Sequence, residues 1–231
     1  MTYDTRRHDV IFDHKTFKDP IHIIGVGGIG GRVAELLIRF GCGLRNELHV
    51  WDGDTVAPHN PPNQVYGKNH VGMYKTEALA QLAKEWTGAQ IHEHREFVDG
   101  HRPFKGVVFA CLDSMRTRKA IWENCIKQHD QIVLFVETRM DATHILTHVI
   151  DPNNASHIEQ WERYWYPDEQ ADNLIGGCGG HIAIPTTVVR AASDAVWEMV
   201  RFHAIRNGDD DLLNNQLRVD MVSHEVQTFQ W

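Results

Sequence analysis

Short apolar runs alternate with amphipathic stretches along the first 150 residues. Apolar runs that end at or just before glycine or an acidic residue predict buried strands at 21–25, 47–52, 107–112 and 132–137. An alternating run predicts a further strand at 142–150. Apolar positions at helical spacing predict helices at 28–40, 75–87 and 116–128. Residues 55–73 contain three prolines, so we expect irregular structure there.

The last third of the chain has a different pattern. We expect a glycine-rich loop at 172–184, a long amphipathic helix at 187–207 and one alternating strand at 217–229. Strands that alternate with helices predict parallel crossovers. The sequence therefore predicts an α/β fold, a doubly wound Rossmann-like and mostly parallel sheet with helices on both faces and a C-terminal antiparallel extension.

No internal repeat or flexible linker divides the sequence. We therefore expect a single domain over residues 1–231. Its parts would be an N-terminal arm at 1–19, a nucleotide-binding core at 20–150 and a region at 151–231 with a substrate-side loop, the long helix and the closing strand.

Composition and charge exclude several classes of protein. With 42% hydrophobic and 23% charged residues, the chain is neither mainly disordered nor collagen-like. A net charge of −8 gives no electrostatic signal for nucleic acid or an anionic membrane. No apolar run approaches the roughly 20 residues that cross a bilayer, and no secretory signal is evident at the N-terminus. We therefore expect a cytoplasmic protein.

Cysteines and histidines give no strong metal signal. The four cysteines form no C-x-x-C pair, which argues against a disulfide framework and a cysteine-rich zinc site. The 16 histidines are scattered, so solvated imidazoles are favoured over a histidine metal site.

A glycine motif lies between the first predicted strand and helix. It comprises Gly25, Gly27, Gly28 and Gly30 of the segment GVGGIG. Glycines allow close approach of a phosphate to the backbone, and a helix N-terminus offers free N–H groups. The motif predicts nucleotide binding, although a plain tight turn would also fit, and alone it does not separate NAD from ATP.

Three acidic residues follow predicted strands. Asp52 ends the second strand, where a Rossmann sheet places a ribose-binding carboxylate, and Asp54 follows it. A strand-terminal turn would explain either residue equally well. Asp113 follows the third buried strand. Since ligands bind beyond the carboxyl ends of parallel strands, we expect these residues and the glycine motif to line one crevice.

Four ordered segments suggest which nucleotide binds there. They are GVGGIG at 25–30, WDGDTVAPHN at 51–60, VGMYK at 71–75 and CLDSMRTR at 111–118. Together they resemble the ThiF/MoeB family of adenylating enzymes, relatives of the ubiquitin-activating enzymes. Each motif alone is weak, but their order and spacing are specific in combination, and the resemblance extends from about residue 21 to 200.

This resemblance implies an ATP-dependent adenylyltransferase that uses Mg²⁺ and acts as a homodimer. Its substrate would be a carboxylate, expected at the C-terminus of a ubiquitin-like or sulfur-carrier protein or of a peptide. The carboxylate would attack the α-phosphate of ATP, giving an acyl-adenylate and pyrophosphate.

The resemblance also implies roles for individual residues. Lys75 would contact the phosphates, although a solvated helix lysine is the plainer interpretation. Asp113 would bind Mg²⁺, although aspartate is also a favoured helix N-cap. Asp52 would bind the ribose, with Asp54 beside it, and Asn60 and Gln64 would lie near the nucleotide.

The sequence also departs from the family pattern. Asn63 occupies the position of a phosphate-binding arginine, so a guanidinium charge is missing there. Arg118 is one candidate replacement, and Arg7 of a partner subunit's N-terminal arm is the favoured one. The family's zinc-binding C-x-x-C pairs are absent as well, and Trp161 could pack in their place.

Cys178 lies in the segment GGCGG, near the position where several relatives have a cysteine that accepts the activated acyl group. Glycine neighbours would give a thiolate access to the adenylate. A small buried thiol is the alternative.

Two other functions remain open from the sequence. A nucleotide-binding scaffold without turnover would explain Asn63. An NAD-dependent oxidoreductase would explain the glycine motif and Asp52, but not Asn60, Lys75 or Asp113.

Overall fold

We describe residues 3–168 and 183–231 of a computed structural model of the protein. Within these residues, eight strands form one sheet. The strands are β1 (Ile21–Ile24), β2 (Leu48–Trp51), β3 (His92–His94), β4 (Gly106–Ala110), β5 (Ile132–Met140), β6 (His144–Ile150), β7 (Gln216–Asp220) and β8 (Glu225–Phe229). Their order across the sheet is β3-β2-β1-β4-β5-β6-β7-β8.

The sheet is parallel from β3 to β5 and antiparallel from β5 to β8. The chain builds β2 and β3 on one side of β1 and then returns to place β4 on the other side. This reversal opens a crevice between the carboxyl ends of β1 and β4, where α/β folds bind ligands. The predicted fold class is confirmed.

Helices cover both faces of the sheet, as the sequence predicts. They are α1 (Gly28–Arg39), α2 (Lys75–Trp86), α3 (Met115–Ile121), α4 (Ala155–Arg163) and α5 (Pro185–Arg206). Apolar residues of α1, α2 and α5 form the core on one face, and those of α3 and α4 form the core on the other. Strand residues alternate between these two cores, as the period of two requires.

The segment after β6 contains a helix that the sequence pattern did not reveal. Asn154 caps α4 by accepting hydrogen bonds from the N–H groups of Ser156 and His157 at 2.9 and 3.4 Å. Trp161 of this helix is buried and lies 4.4 Å from the ring centroid of Trp122. Trp161 therefore packs in the core on this face of the sheet, and its replacement of a zinc site stays a prediction.

The prediction of one strand over 217–229 is wrong. The chain reverses between β7 and β8, which pair as an antiparallel hairpin. The Asp220 carboxylate accepts the N–H of Val222 at 2.8 Å, and His224 adopts a positive φ of 61°. The turn contains neither glycine nor proline, so the alternating pattern continues through it and conceals the reversal.

The predicted helix at 116–128 begins at Met115 and changes to a π-helical turn at Trp122–Ile126. Most of the predicted loop at 172–184 lies outside the described residues. Among the described helices, none combines the length and apolar character needed to cross a membrane.

Candidate functional site

A cleft of about 1900 Å³ opens at the carboxyl ends of the parallel strands. It brings together most of the residues that the sequence singles out. Those lining it are Gly25, Gly27, Gly28, Asp52, Asp54, Asn60, Gln64, Lys75 and Asp113. The expectation of one shared crevice for these loops is thus met by the geometry.

The glycine loop presents backbone to the cleft. Gly25 has a φ of +81°, and a side chain there would meet the carbonyl oxygen of Cys111 at 2.6 Å. Helix α1 begins at Gly28 without a side-chain cap, so the N–H groups of its first turn have no side-chain acceptor among residues 3–168 and 183–231. A Cβ on Gly27 would have Gln64 Nε2, at 3.9 Å, as its nearest neighbour. These features suit an anionic ligand against the loop.

Gly30 serves packing instead. It is not among the cleft-lining residues, and a Cβ there would meet the carbonyl oxygen of Gly25 at 1.8 Å. Only glycine allows α1 to lie this close to the end of β1.

Asp52 and Lys75 form a buried charged pair beside the glycine loop. Asp52 Oδ2 accepts the N–H of Val26 at 2.9 Å and lies 3.8 Å from Lys75 Nζ. Lys75 donates to Asp54 Oδ2 at 2.8 Å. Burial raises the pKa of Asp52, and the charge of Lys75 opposes that rise. Because the Asp54 side chain is 55% exposed, its bond to Lys75 is weak and can be exchanged for a phosphate oxygen.

Asn60 and Gln64 lie on the irregular segment that follows β2, and Gln64 lies beside the start of α1. Asn60 accepts the N–H of Ala57 through its side-chain oxygen at 2.8 Å, which closes a turn. The side-chain oxygen of Gln64 is buried and has no hydrogen-bond partner among the described residues. A ligand that donates a hydrogen bond would satisfy it.

Asp113 is not the helix cap that the alternative interpretation proposed. Ser114 is the N-cap of α3 and accepts the N–H of Thr117 at 3.2 Å, while Asp168 accepts the N–H of Met115 at 2.5 Å. The Asp113 carboxylate is exposed, and no hydrogen bond or ion pair engages it within residues 3–168 and 183–231. Carboxylate oxygens are the ligands that Mg²⁺ prefers, so Asp113 fits this cation.

The structure argues against Arg118 as the replacement for the missing arginine. Its side chain is 4% exposed, and it bonds to Glu137 at 2.5 Å and to the carbonyl oxygens of Ala110 and Thr138. Asn63 itself lines the cleft. Within its own chain Arg7 lies apart from the cleft, in a small hollow with Asp4 and Arg6.

One cysteine of the described residues lines the cleft. Cys111 lines the cleft, but burial raises the pKa of its thiol to about 12, so it is not a thiolate at neutral pH. Cys178 lies outside the described residues, and its expected acyl-accepting role stays a prediction.

Sequence reasoning missed several residues of this cleft. Thr138 and Arg139 of β5 line it, and Glu137 is buried behind them. The only signal in the sequence was a carboxylate and a guanidinium, Glu137 and Arg139, on alternate residues of a strand that begins with five apolar residues. Asp168, which does not line the cleft but accepts an N–H at the start of α3, was also missed, because this contact spans 53 residues of sequence.

Comparison with known proteins identifies relatives over most of the chain. Residues 13–231 match the sequence profile of the ThiF family. The ATP-dependent ubiquitin transferase-like protein Cap2 of Vibrio cholerae is 35% identical over 94 residues, which cover 40% of this chain and 16% of Cap2. Ubiquitin-like modifier-activating enzyme 5 of Arabidopsis thaliana is 38% identical over 127 residues, covering 46% of this chain and 29% of that enzyme. The chain spans well under half the length of these relatives.

Solved structures share the fold. PaaA superposes with a TM-score of 0.70 at 16% identity, covering 98% of this chain and 68% of PaaA. Escherichia coli MccB, solved with ATP, gives a TM-score of 0.70 at 14% identity, covering 96% of this chain and 66% of MccB.

Proposed function

Because the chain belongs to the ThiF family, we propose that its cleft binds ATP and that the protein adenylates a carboxylate with release of pyrophosphate. One observation carries the proposal. The glycine loop, the Lys75 ammonium and the Asp113 carboxylate line a single cleft, although they come from three separate segments of the chain. Adenylation depends mainly on positioning and on neutralising phosphate charge, which these groups can supply.

Each group has a distinct part in the proposed reaction. The N–H groups that open α1 would bind phosphate oxygens, and Lys75 would exchange Asp54 for a phosphate. Asp113 would hold Mg²⁺, which neutralises charge on the phosphates when bound. Asp52, fixed by the N–H groups of Val26 and Asp54, would accept hydrogen bonds from the ribose.

The substrate class is a carboxylate on a peptide or protein. Two relatives are named for ubiquitin-like chemistry, and MccB has been solved with MccA. We extend these names to this chain only as a proposal. The cleft continues from the glycine loop to Arg218 and Gln227 on the antiparallel extension, which gives room for an extended segment beside the nucleotide.

Calorimetric titration with ATP and Mg²⁺ tests nucleotide binding. We expect Lys75→Ala to weaken ATP binding by about tenfold or more, because a charge-assisted contact to phosphate is lost. Lys84→Ala is the matched control, since Lys84 is an exposed lysine of the same helix. We expect Asp113→Asn to remove the gain in affinity that Mg²⁺ gives. Unchanged ATP binding in both site variants would refute this assignment of the site.

A scaffold that binds ATP without turnover is the second candidate. It is favoured by Asn63 at the cleft and by the engagement of Arg118 in buried bonds. ATP binding without pyrophosphate release for any carboxylate partner would support it, and turnover would eliminate it. An NAD-dependent oxidoreductase gains no support from the family to which the chain belongs.

The homodimer, the cytoplasmic location and the reach of Arg7 into a partner's cleft also remain proposals. Sedimentation tests the dimer. If Arg7 acts across it, Arg7→Ala will weaken ATP binding only at concentrations at which the wild-type protein is dimeric.

A further inference from the structure

Beyond the glycine loop, the cleft passes a buried cluster of charged side chains that the proposed nucleotide site does not use. Glu137 of β5 is fully buried at its centre. Its Oε1 atom lies 2.5 Å from Arg118 Nη1 and 2.6 Å from Arg139 Nε. Its Oε2 atom lies 3.0 Å from His148 Nδ1 and accepts the Trp161 N–H at 3.3 Å.

The cluster has an excess of positive charge. Burial alone raises the pKa of Glu137, but Arg139 and Arg118 outweigh burial and hold the pKa well below its usual range. Burial lowers the pKa of His148, whose Nε2 lies 3.0 Å from the Gln216 amide nitrogen. A neutral imidazole therefore accepts from Gln216 and donates to Glu137. One carboxylate and two guanidinium groups leave a net charge of +1.

Arg139 also has an unused hydrogen-bond donor. Its side chain is 8% exposed and lines the cleft. Nε donates to Glu137 and Nη1 donates to the carbonyl oxygen of Tyr164 at 2.7 Å, while Nη2 is buried with no partner in the described part of the chain. An unpartnered buried donor is costly, so such groups usually mark a place for a ligand or an ordered water.

The guanidinium is held in one orientation. Its central carbon lies 5.3 Å from the ring centroid of Tyr166, which also lines the cleft. Two fixed bonds and a ring face restrict rotation of the side chain. A planar donor that is already oriented loses little entropy when it binds an acceptor.

The position of Arg139 suits the proposed reaction. Glu137 pairs with Ala110, the last residue of β4, so Arg139 extends past that strand to the edge where Asp113 lies. Two strand spacings, about 10 Å, separate β5 from β1 and its glycine loop. Arg139 and the glycine loop therefore line one cleft at this separation.

We propose that Arg139 binds the carboxylate that is to be activated, presented by the C-terminus of an extended peptide segment. This inference rests on the proposed adenylation, because it assigns the second substrate of the same cleft. The surplus buried charge favours an anion over a neutral carbonyl, and the free Nη2 supplies the hydrogen bond. In the reaction a carboxylate oxygen forms a bond to the α-phosphorus of ATP. The bond from the α-phosphorus to the oxygen that it shares with the β-phosphate breaks, and pyrophosphate leaves with the electron pair of that bond.

The test compares two small peptides that differ in one charge. N-acetylglycylglycine presents a terminal carboxylate without side chains, and its C-terminal amide presents none. Each is titrated calorimetrically into the whole protein with a non-hydrolysable ATP analogue and Mg²⁺ present. We expect wild type to bind the acid at least about tenfold more tightly than the amide, in keeping with a charged hydrogen bond.

Single substitutions test whether Arg139 causes the preference for the acid. We expect Arg139→Gln to remove the preference for the acid while leaving affinity for the ATP analogue within twofold. Arg163→Gln is the matched control, because Arg163 is an exposed arginine of α4 that pairs with Glu159 and does not line the cleft. If Arg139→Gln unfolds, Arg139→Lys is the alternative variant. Its ammonium keeps a positive charge beside Glu137 but cannot bind both Glu137 and the peptide carboxylate, so the preference for the acid over the amide should again fall. Arginine side-chain NMR signals of the wild type provide a readout without mutation.

The outcomes separate the two proposals. Equal binding of acid and amide, an equal loss in Arg163→Gln, or unmoved Arg139 signals would overturn the inference while leaving ATP binding intact. Failure of the ATP analogue to bind wild type would instead overturn the proposed function.

Discussion

Glycine serves two different purposes within one short loop. At Gly30 the missing side chain lets α1 pack against the end of β1. At Gly27 the missing side chain leaves the backbone open to the cleft. The two positions look alike in sequence, but only their neighbours distinguish packing from binding.

We expect alanine to lower mainly the stability of the protein at Gly30 and mainly the affinity for ATP at Gly27. Gly30→Ala should lower the free energy of unfolding by about 2–3 kcal/mol, because its Cβ overlaps the carbonyl oxygen of Gly25. Gly27→Ala should lose less stability than Gly30→Ala, since its Cβ would meet no atom of the described residues closer than 3.9 Å. Some backbone strain is expected, because φ −72° and ψ −134° lie outside the regions that residues with a Cβ favour. Gly27→Ala should also weaken ATP binding. Urea unfolding and calorimetry measure the two effects, and equal stability losses would contradict this division.

Between neighbouring strands, four histidines form a stack on one face of the sheet. The rings of His22 and His49 lie 4.5 Å apart, as do those of His49 and His92, and His94 stacks on Trp51 at 3.6 Å. Strand register produces this arrangement, because His22, His49 and His92 are direct neighbours on β1, β2 and β3. Protonation of several rings would place like charges close together.

This stack should make the protein sensitive to acid. Burial, followed by the charges of His49 and His94, lowers the pKa of His22 from 6.5 to about 3. The unfolded chain therefore takes up a proton near pH 6.5 that the folded protein refuses, so stability falls as the pH falls from about 6.5 towards 3. We expect His22→Phe to reduce the stability loss between pH 7.5 and 5 by roughly 1–2 kcal/mol.

Urea unfolding at both pH values measures this difference. His129→Asn, at an exposed position on a loop away from this stack, is the comparison variant. An equal pH dependence in wild type and His22→Phe would show that His22 does not contribute.

Across the whole molecule, the Glu137 cluster connects elements that are distant in sequence. Its side chains come from α3, β5, β6 and α4, so it ties the parallel sheet to its antiparallel extension. The charges are buried, and each depends on the others for compensation.

Removal of the central carboxylate should therefore be costly. We expect Glu137→Gln to lower the free energy of unfolding by roughly 3–5 kcal/mol, because two buried guanidinium groups lose their counter-charge. Glu123→Gln is the control, since the exposed pair of Glu123 with Lys119 should contribute less than about 1 kcal/mol. Chemical unfolding measures the free energy of unfolding of both variants. Similar losses of stability in the two would contradict a buried network.

The local sequence determined the elements that obey a strong period and the loops that follow them. Strands β1, β2, β4 and β5, helices α1, α2 and α5, and the cleft positions of Asp52, Lys75 and Asp113 all follow from hydrophobic spacing and from the rule that parallel strands end at one edge. These features depend on neighbours in the chain, which the sequence displays directly.

Only the tertiary structure decided which charges face the cleft and which are buried. Arg118 and Arg139 both line the cleft and both bond to Glu137. Both Nη atoms of Arg118 donate to carbonyl oxygens and only its buried Nε lacks a partner in the described residues, whereas Arg139 keeps an unpartnered Nη2. The reversal between β7 and β8 and the contact of Asp168 with α3 were equally hidden. Each depends on contacts between segments far apart in the chain, and periodicity carries no information about such contacts.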